Sequence, residues 1–326
     1  MSSELLENLK KRYLTIRNNG LTNVLKIQDE TISAIRTFLK KEGFIEILAP
    51  IIGPATDPGI RGAKQVTINY YGVPFKLMSS MILYKQMIIT SIPKVFALSP
   101  NIRLEPLETA KTRRHLTEFR QIDLEVAHAT CKEVMELGER MLCHVIDEVK
   151  SRCQMELGER LKSLKTPQRP FKRYTYDEAI EILKNKGITI ERGGEIPWDA
   201  EEALSRAHSE PFWITNYPMT ARGFYYMEKE DDPAFLEDFD LIYPEGFGEA
   251  ISGGQREHRY VKLVERMKKN GENISEYGWY LDMVRMGIPP SAGFGIGVER
   301  LTRFICGLEN IWDAVPFPKI AGIPSP

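Results

Sequence analysis

Apolar residues recur with helical spacing over 24–41, where Ile27, Ile32, Ile35, Phe38 and Leu39 fall on one face. The spacing predicts a helix ended by Gly43 and followed by a strand in FIEIL (44–48), which Pro50 stops. A shorter amphipathic helix is predicted over 1–22, and 53–64 (GPATDPGIRGAK) reads as a flexible loop. Short strands are expected near 65–71 and 74–78, a helix over 80–90 and a strand over 94–98. Residues 101–125 alternate on both sides of a basic loop and predict a hairpin. The charged stretch 131–165 reads as helix, and Thr175-Tyr176-Asp177-Glu178 is a capping box for a helix reaching Gly187. A further helix is expected near 199–208. From 212 onward strand patterns dominate (FWITNY, GFYYME, 235–243, 248–252), with helices over 256–269 and 276–286. The chain closes on a glycine-rich strand that runs into a helix. Strands come in blocks without regular βαβ alternation, which predicts an α+β fold with an antiparallel sheet flanked by helices.

Composition narrows this picture only a little. The chain has 326 residues, long for one domain and short for two large ones. It is 42% hydrophobic and 27% charged with a net charge of −1, so no global basic field draws it to nucleic acid or membrane, and only a local patch remains open. No apolar run approaches the ~18–20 residues of a membrane span, and MSSELLENLKKRY has no signal core. A cytoplasmic protein is expected. Cys131, Cys143, Cys153 and Cys306 form no C-x-x-C pair, so free thiols rather than zinc are expected. MELGERM at 135–141 returns as MELGERL at 155–161, which points to two helices of similar face.

Three clusters carry chemistry. There is no G-x-x-x-x-G-K-[ST], no dinucleotide fingerprint and no H-E-x-x-H, so a bound nucleotide needs another device. In the hairpin, Arg103 suits a phosphate and Phe119 suits the face of an adenine, beside Lys111, Arg113, Arg114 and His115. A solvated loop with Phe119 in the core is the structural alternative. In 240–256, Asp240 and Glu249 suit a hard cation, Gly253-Gly254 lets backbone approach a ligand, and Arg256 aims at an anion. A strand ending in a glycine turn is the alternative. In 293–300, glycines permit close packing and Arg300 suits the adenine face opposite Phe119, against plain strand-to-helix packing.

Together the clusters resemble the class II aminoacyl-tRNA synthetases. The hairpin is similar to motif 2, GFGIGVER to motif 3, and the helix running into FIEILAP to motif 1, with Pro50 as its proline. TRRHLTEFRQIDLE, YKQ at 84–86, GGQREH at 253–258 and GIPPSAGFGIGVERL at 287–301 narrow the resemblance to the aspartyl/asparaginyl subgroup over 24–319. It implies ATP and Mg2+ as cofactors and a homodimer through motif 1. By position it implies Arg103 on the α-phosphate, Glu105 and His115 on ATP, and Phe119 and Arg300 around adenine. Glu249 and Asp240 would hold magnesium with Ser252 beside them, although the spacing between the two acids is about two residues longer than the family's. Lys85 and Arg256 would grip the side-chain carboxylate of aspartate, Asp123 the substrate ammonium, and Asp57 would be an acidic flipping-loop residue.

Two departures shape the functional expectation. Motif 1 begins near residue 24, which leaves no room before it for the family's anticodon-binding barrel, and Ile82 and Ser291 replace residues of the aspartyl pattern. The chain resembles the stand-alone archaeal cores that act as asparagine synthetase A. The expectation is therefore an AMP-forming aspartate–ammonia ligase working through a β-aspartyl-adenylate, with catalytic Arg103, Arg300 and Asp57 and with Lys85 and Arg256 on the α-carboxylate. Its partners would be aspartate, ammonia and ATP, with neither membrane nor tRNA. The alternatives are a truncated aspartyl/asparaginyl-tRNA synthetase paralogue acting on tRNA or another acceptor, and a non-catalytic amino-acid-binding regulator. Residues 1–23 are expected as a helical extension and 24–326 as the catalytic domain, with 130–211 a helical insertion between motifs 2 and 3.

Overall fold

The computed structural model describes residues 3–17, 19–58 and 62–326. Its strands are β1 (Ile45–Glu46), β2 (Ile52–Gly53), β3 (Thr67–Tyr70), β4 (Val73–Leu77), β5 (Lys94–Ile102), β6 (Glu118–Ala127), β7 (Lys172–Thr175), β8 (Phe212–Thr215), β9 (Asp238–Tyr243), β10 (Gly248–Gln255) and β11 (Ser291–Gly297). Eight form one sheet in the order β1-β5-β6-β11-β10-β9-β8-β7, and β2-β4-β3 form a small second sheet. Only the outermost pairs of the large sheet, β1 with β5 and β7 with β8, are parallel. The architecture is α+β with a mainly antiparallel sheet flanked by helices, as the block pattern of strands predicts.

One face of the large sheet is closed by helices. Helix Asn19–Lys41 buries Ile27, Ile35 and Leu39 and packs against helix Cys131–Arg152, whose Val134, Leu142 and Val145 reach Ile122, Leu124 and Phe294 of the sheet. The second helix is opened by a capping box in which Thr130 Oγ1 accepts from the Glu133 amide and Glu133 accepts from the Thr130 amide. Segment 130–211 thus contributes its first helix to the main core. Its later helices, Tyr176–Asn185 with the predicted capping box and Trp198–Arg206, form a separate cluster against Phe212, Ile214 and Ile242.

Several sequence expectations fail locally. FIEIL yields only the two residues of β1. GFYYME makes isolated bridges instead of a strand, because Phe224, Tyr225 and Tyr226 are drawn into an apolar cluster with Leu263 and Tyr280. The N-terminal helix breaks into Ser3–Lys10 and Arg12–Thr15, and Leu9 is buried against Leu116, Trp312 and Ile320. The second MELGER copy falls in two short helices, Gln154–Leu157 and Arg160–Ser163, interrupted at Gly158 with φ +52°. Of the loop 53–64, residues 59–61 lie outside the described residues. No described helix is long and apolar enough to cross a membrane.

The pleat of β6 sets up the site. Ile122 and Leu124 face the helices, so Gln121, Asp123 and Glu125 line the opposite face of the sheet.

Candidate active site

Next to β6 lies β11, paired Gly297 to Gln121, Gly295 to Asp123 and Gly293 to Glu125. A Cβ at Gly293 would stand 2.2 Å from Glu125 Oε2, and one at Gly295 would stand 2.9 Å from Gln121 Nε2 and 3.1 Å from Asp123 Oδ1. The alternation of glycines keeps a slot open over three polar side chains.

At the Phe119 end the slot meets a cavity lined by Arg103, Glu105, His115, Phe119, Glu249 and Arg300. All six proposed ATP residues therefore share one cavity. Arg103 Nε donates to the Ser79 carbonyl at 3.1 Å, and its guanidinium lies 5.1 Å from the centre of the Phe119 ring. Arg300 Nη1 is 3.2 Å from Glu249 Oε1. Glu299 accepts from the Arg120 amide through both oxygens, at 2.9 and 3.0 Å, and burial pushes its carboxyl up to about 7.

The wall opposite comes from helix Trp198–Arg206. Trp198 packs 4.7 Å from the His115 ring. Arg114 donates to Glu201 at 2.6 Å, and the same carboxylate accepts from the Glu249 amide at 2.6 Å. This brace fixes the basic loop against β10. Trp198, Glu201, Gln121, Glu125 and Glu299 were absent from the sequence-derived site. Gln121 and Glu125 carried a usable signal, lying two residues either side of Asp123 on an alternating strand. Trp198 and Glu201 carried none.

The deeper end of the slot holds two buried cations and two buried acids. Lys85 Nζ donates to Asp123 Oδ1 at 3.1 Å and to the carbonyls of Leu124 and Phe294 at 3.1 and 3.3 Å, and it lies 3.5 Å from Glu125 Oε2. Arg256, 2% exposed, donates from Nε to Glu125 Oε1 at 3.1 Å and from Nη2 to the Gly293 carbonyl at 2.8 Å. Burial opposes its charge, but Glu125 together with Tyr226 and Tyr225 outweighs burial, so its pKa stands above the usual arginine value. Ser291 donates to Glu125 Oε1 at 2.8 Å. Two buried atoms here have no hydrogen-bond partner among the described residues: Arg256 Nη1, a donor, and Asp123 Oδ2, an acceptor. Asp57 is buried nearby and accepts from the Tyr225 hydroxyl at 3.1 Å.

Asp240 does not join the cavity. Strand β9 is buried throughout, and Asp238 and Asp240 project from the same face onto Arg222. Arg222 Nε donates to Asp238 at 3.1 Å, Nη2 to Asp240 at 2.6 Å, and Nη1 lies 2.8 Å from Glu195. Asp240, expected beside Glu249 as a metal ligand, turns one carboxylate oxygen to the Arg222 guanidinium in this structure, and a bulge between Glu249 and Ile251 offsets the strands. Among the described residues no three His, Cys, Asp or Glu side chains converge on a metal position. Glu249 and Ser252 remain as oxygen donors, and that set suits magnesium, which takes one or two protein oxygens together with substrate phosphates and water.

Comparison with known proteins adds the following. The family model for class II tRNA synthetases (D, K and N) matches residues 4–321. An asparagine–tRNA ligase of Pyrococcus abyssi is 36% identical over 321 residues, 98% of this chain and 72% of that protein. An aspartate–tRNA(Asp/Asn) ligase of Archaeoglobus fulgidus is 36% identical over 319 residues, 97% and 72%. The crystal structure of asparaginyl-tRNA synthetase from Pyrococcus horikoshii complexed with asparaginyl-adenylate superposes with a TM-score of 0.91 at 34% identity, covering 100% of this chain and 74% of that one.

These findings overturn two expectations, an ammonia-using asparagine synthetase and the absence of a tRNA partner, because the relatives matched along nearly the whole chain are tRNA ligases. Where motif 1 starts says nothing about the acceptor. Both departures from the aspartyl pattern also have local roles: Ile82 is 5% exposed in an apolar cluster with Leu83 and Leu236, and Ser291 holds Glu125.

Proposed function

Because this chain belongs to the class II tRNA synthetases of the D, K and N type, we propose that it is a ligase that adenylates aspartate or asparagine on the α-carboxylate and passes the acyl group to tRNA. Members of the family use ATP and Mg2+. The observation that carries the orientation is the pair of unpartnered buried atoms, Asp123 Oδ2 and Arg256 Nη1, set in order along β6 from the ATP cavity.

The substrate ammonium donates to Asp123 Oδ2. The side-chain oxygen accepts from Arg256 Nη1, deeper in the slot beside Glu125. The α-carboxylate then points past Gln121 towards Arg103. Residues two apart on a strand stand about 6–7 Å apart, the length of a four-carbon amino acid. An α-carboxylate oxygen attacks the α-phosphorus of ATP in line, forming the acyl–phosphate bond and breaking the bond to the β-phosphate oxygen. Pyrophosphate leaves with that electron pair. Arg103, pinned through Nε and by Phe119, offers its remaining donors to the charge developing on the α-phosphate. Glu249 and Ser252 would hold magnesium, which supplies charge neutralisation at the phosphates when bound. A tRNA hydroxyl next attacks the acyl carbon and loses its proton, and AMP departs. Pyrophosphate exchange into ATP, dependent on aspartate or asparagine, tests the first half-reaction. Exchange that proceeds equally without either amino acid contradicts it.

A second copy of the chain fits beside β1. Ile45, Leu48 and Ile51 are exposed there, Leu48 at 97%, in the segment that resembles motif 1. Sedimentation equilibrium is expected to give the dimer mass, and Leu48→Lys to shift it towards the monomer. A monomer at micromolar concentration would contradict the dimer.

A further inference from the structure

Behind the ATP cavity lies a second one of about 420 Å³, and Arg114 lines both. Five cations border it: Lys111, Arg113, Arg114, Arg206 and Arg303. Three acids do so as well, and two of them are committed: Glu202 takes Arg206 at 2.6 Å and Glu309 takes Arg113, while Glu245 is exposed on the turn at the rim. Arg114 is held by Glu201. Arg303 is different. It meets no carboxylate among the described residues. Its Nε donates to the Glu309 carbonyl at 3.2 Å and Nη1 to the Phe247 carbonyl at 3.3 Å, with the Phe247 ring 5.0 Å below the guanidinium. Nη2 makes no hydrogen bond among the described residues. Burial, and then the neighbouring Arg114 and Arg300, bring its pKa down to about 10, with Glu202 opposing and Arg113 adding to the fall. A guanidinium fixed in place, crowded by like charges and with no carboxylate in direct contact is arranged for an anion that comes and goes. Arg300 of the ATP cavity lies three residues earlier on the same helix, Val298–Cys306, so the two cavities present arginines on one helical face.

We propose that this cavity is a second oligophosphate site that takes inorganic pyrophosphate as it leaves the adenylation cavity. The assignment to pyrophosphate rests on the adenylation reading above, whereas the binding itself does not. The test is equilibrium dialysis of radiolabelled inorganic pyrophosphate against the full chain saturated with α,β-methylene-ATP. One pyrophosphate is expected to bind alongside the analogue. Arg303→Gln should weaken it about tenfold or more, the loss of a charge-assisted hydrogen bond. Arg206→Gln, on an exposed position of another helix, should weaken it about two- to fivefold, which keeps the test open if the first variant misfolds. Exclusion of pyrophosphate by the analogue, or wild-type binding by Arg303→Gln in a folded protein, would overturn the site. Displacement at equal affinity by a short RNA ending in CCA would overturn its assignment to a free oligophosphate. Failure of the analogue to bind at all would count against the adenylation reading, and pyrophosphate binding to the chain would still be read.

Discussion

Arg256→Gln lowers kcat/KM for the amino acid in pyrophosphate exchange by about 10²–10³-fold and leaves the affinity for ATP within about twofold. The size follows from what the guanidinium does at once. Its Nη1 has no protein partner among the described residues and is the proposed donor to the substrate side chain, and the guanidinium neutralises Glu125, which is 0% exposed. Glutamine loses the first contact and leaves a buried carboxylate with only Lys85 and Ser291 as partners. Because Lys85 already serves Asp123 and two carbonyls, it does not substitute for the missing charge. Arg256→Lys restores a cation without the fork and should recover only part of the activity. ATP affinity is spared because Arg256 does not line the ATP cavity. Loss of ATP binding in parallel would show that the two ends of the slot are not separate.

Arg222→Met destabilises the fold by about 3–5 kcal/mol, measured by chemical denaturation at pH 8. Arg222 is the cation among Glu195, Asp238 and Asp240, and it stacks 3.8 Å from the Tyr217 ring. Methionine keeps the apolar stem and strands three carboxylates inside the protein. Even in the native cluster one guanidinium cannot offset three acids: burial pushes Asp238 up to about 8, with Arg222 opposing and Asp240 adding to the rise. The sign follows. A carboxyl whose folded pKa is raised adds stability that is fully present below its unfolded pKa, near 4, and lost as pH rises through about 8. The wild-type protein should therefore lose some stability between these limits. In Arg222→Met the carboxyls are raised further, so its deficit should shrink as pH falls towards 5. A deficit independent of pH would place the damage in packing.

How much of this was visible beforehand depended on whether a residue's role is local. The hairpin, the glycine-strand running into a helix and the capping box at Thr175 depend on neighbours in sequence and were legible. GFYYME looked like a strand because its aromatics alternate, and tertiary packing against Leu263 and Tyr280 overrode that preference. Asp240 looked like a metal ligand because it precedes Glu249 in the strand pair. Arg222, eighteen positions away, donates to it, a contact that no local pattern announces. Trp198 and Glu201 reach the site from a segment with no motif of its own. Lys85 reads from sequence as a second cation for the substrate, and the folded slot adds that it also pairs with Asp123 and Glu125.

With the proposed order Arg103, Gln121, Asp123, Arg256 the α-carboxylate is the one that meets ATP, and trapping the activated amino acid tests this most directly. With aspartate, ATP and hydroxylamine, the intermediate is captured as a hydroxamate whose regiochemistry records the activated carbon. The account predicts the α-hydroxamate of aspartate. The β-hydroxamate as the main product would contradict it.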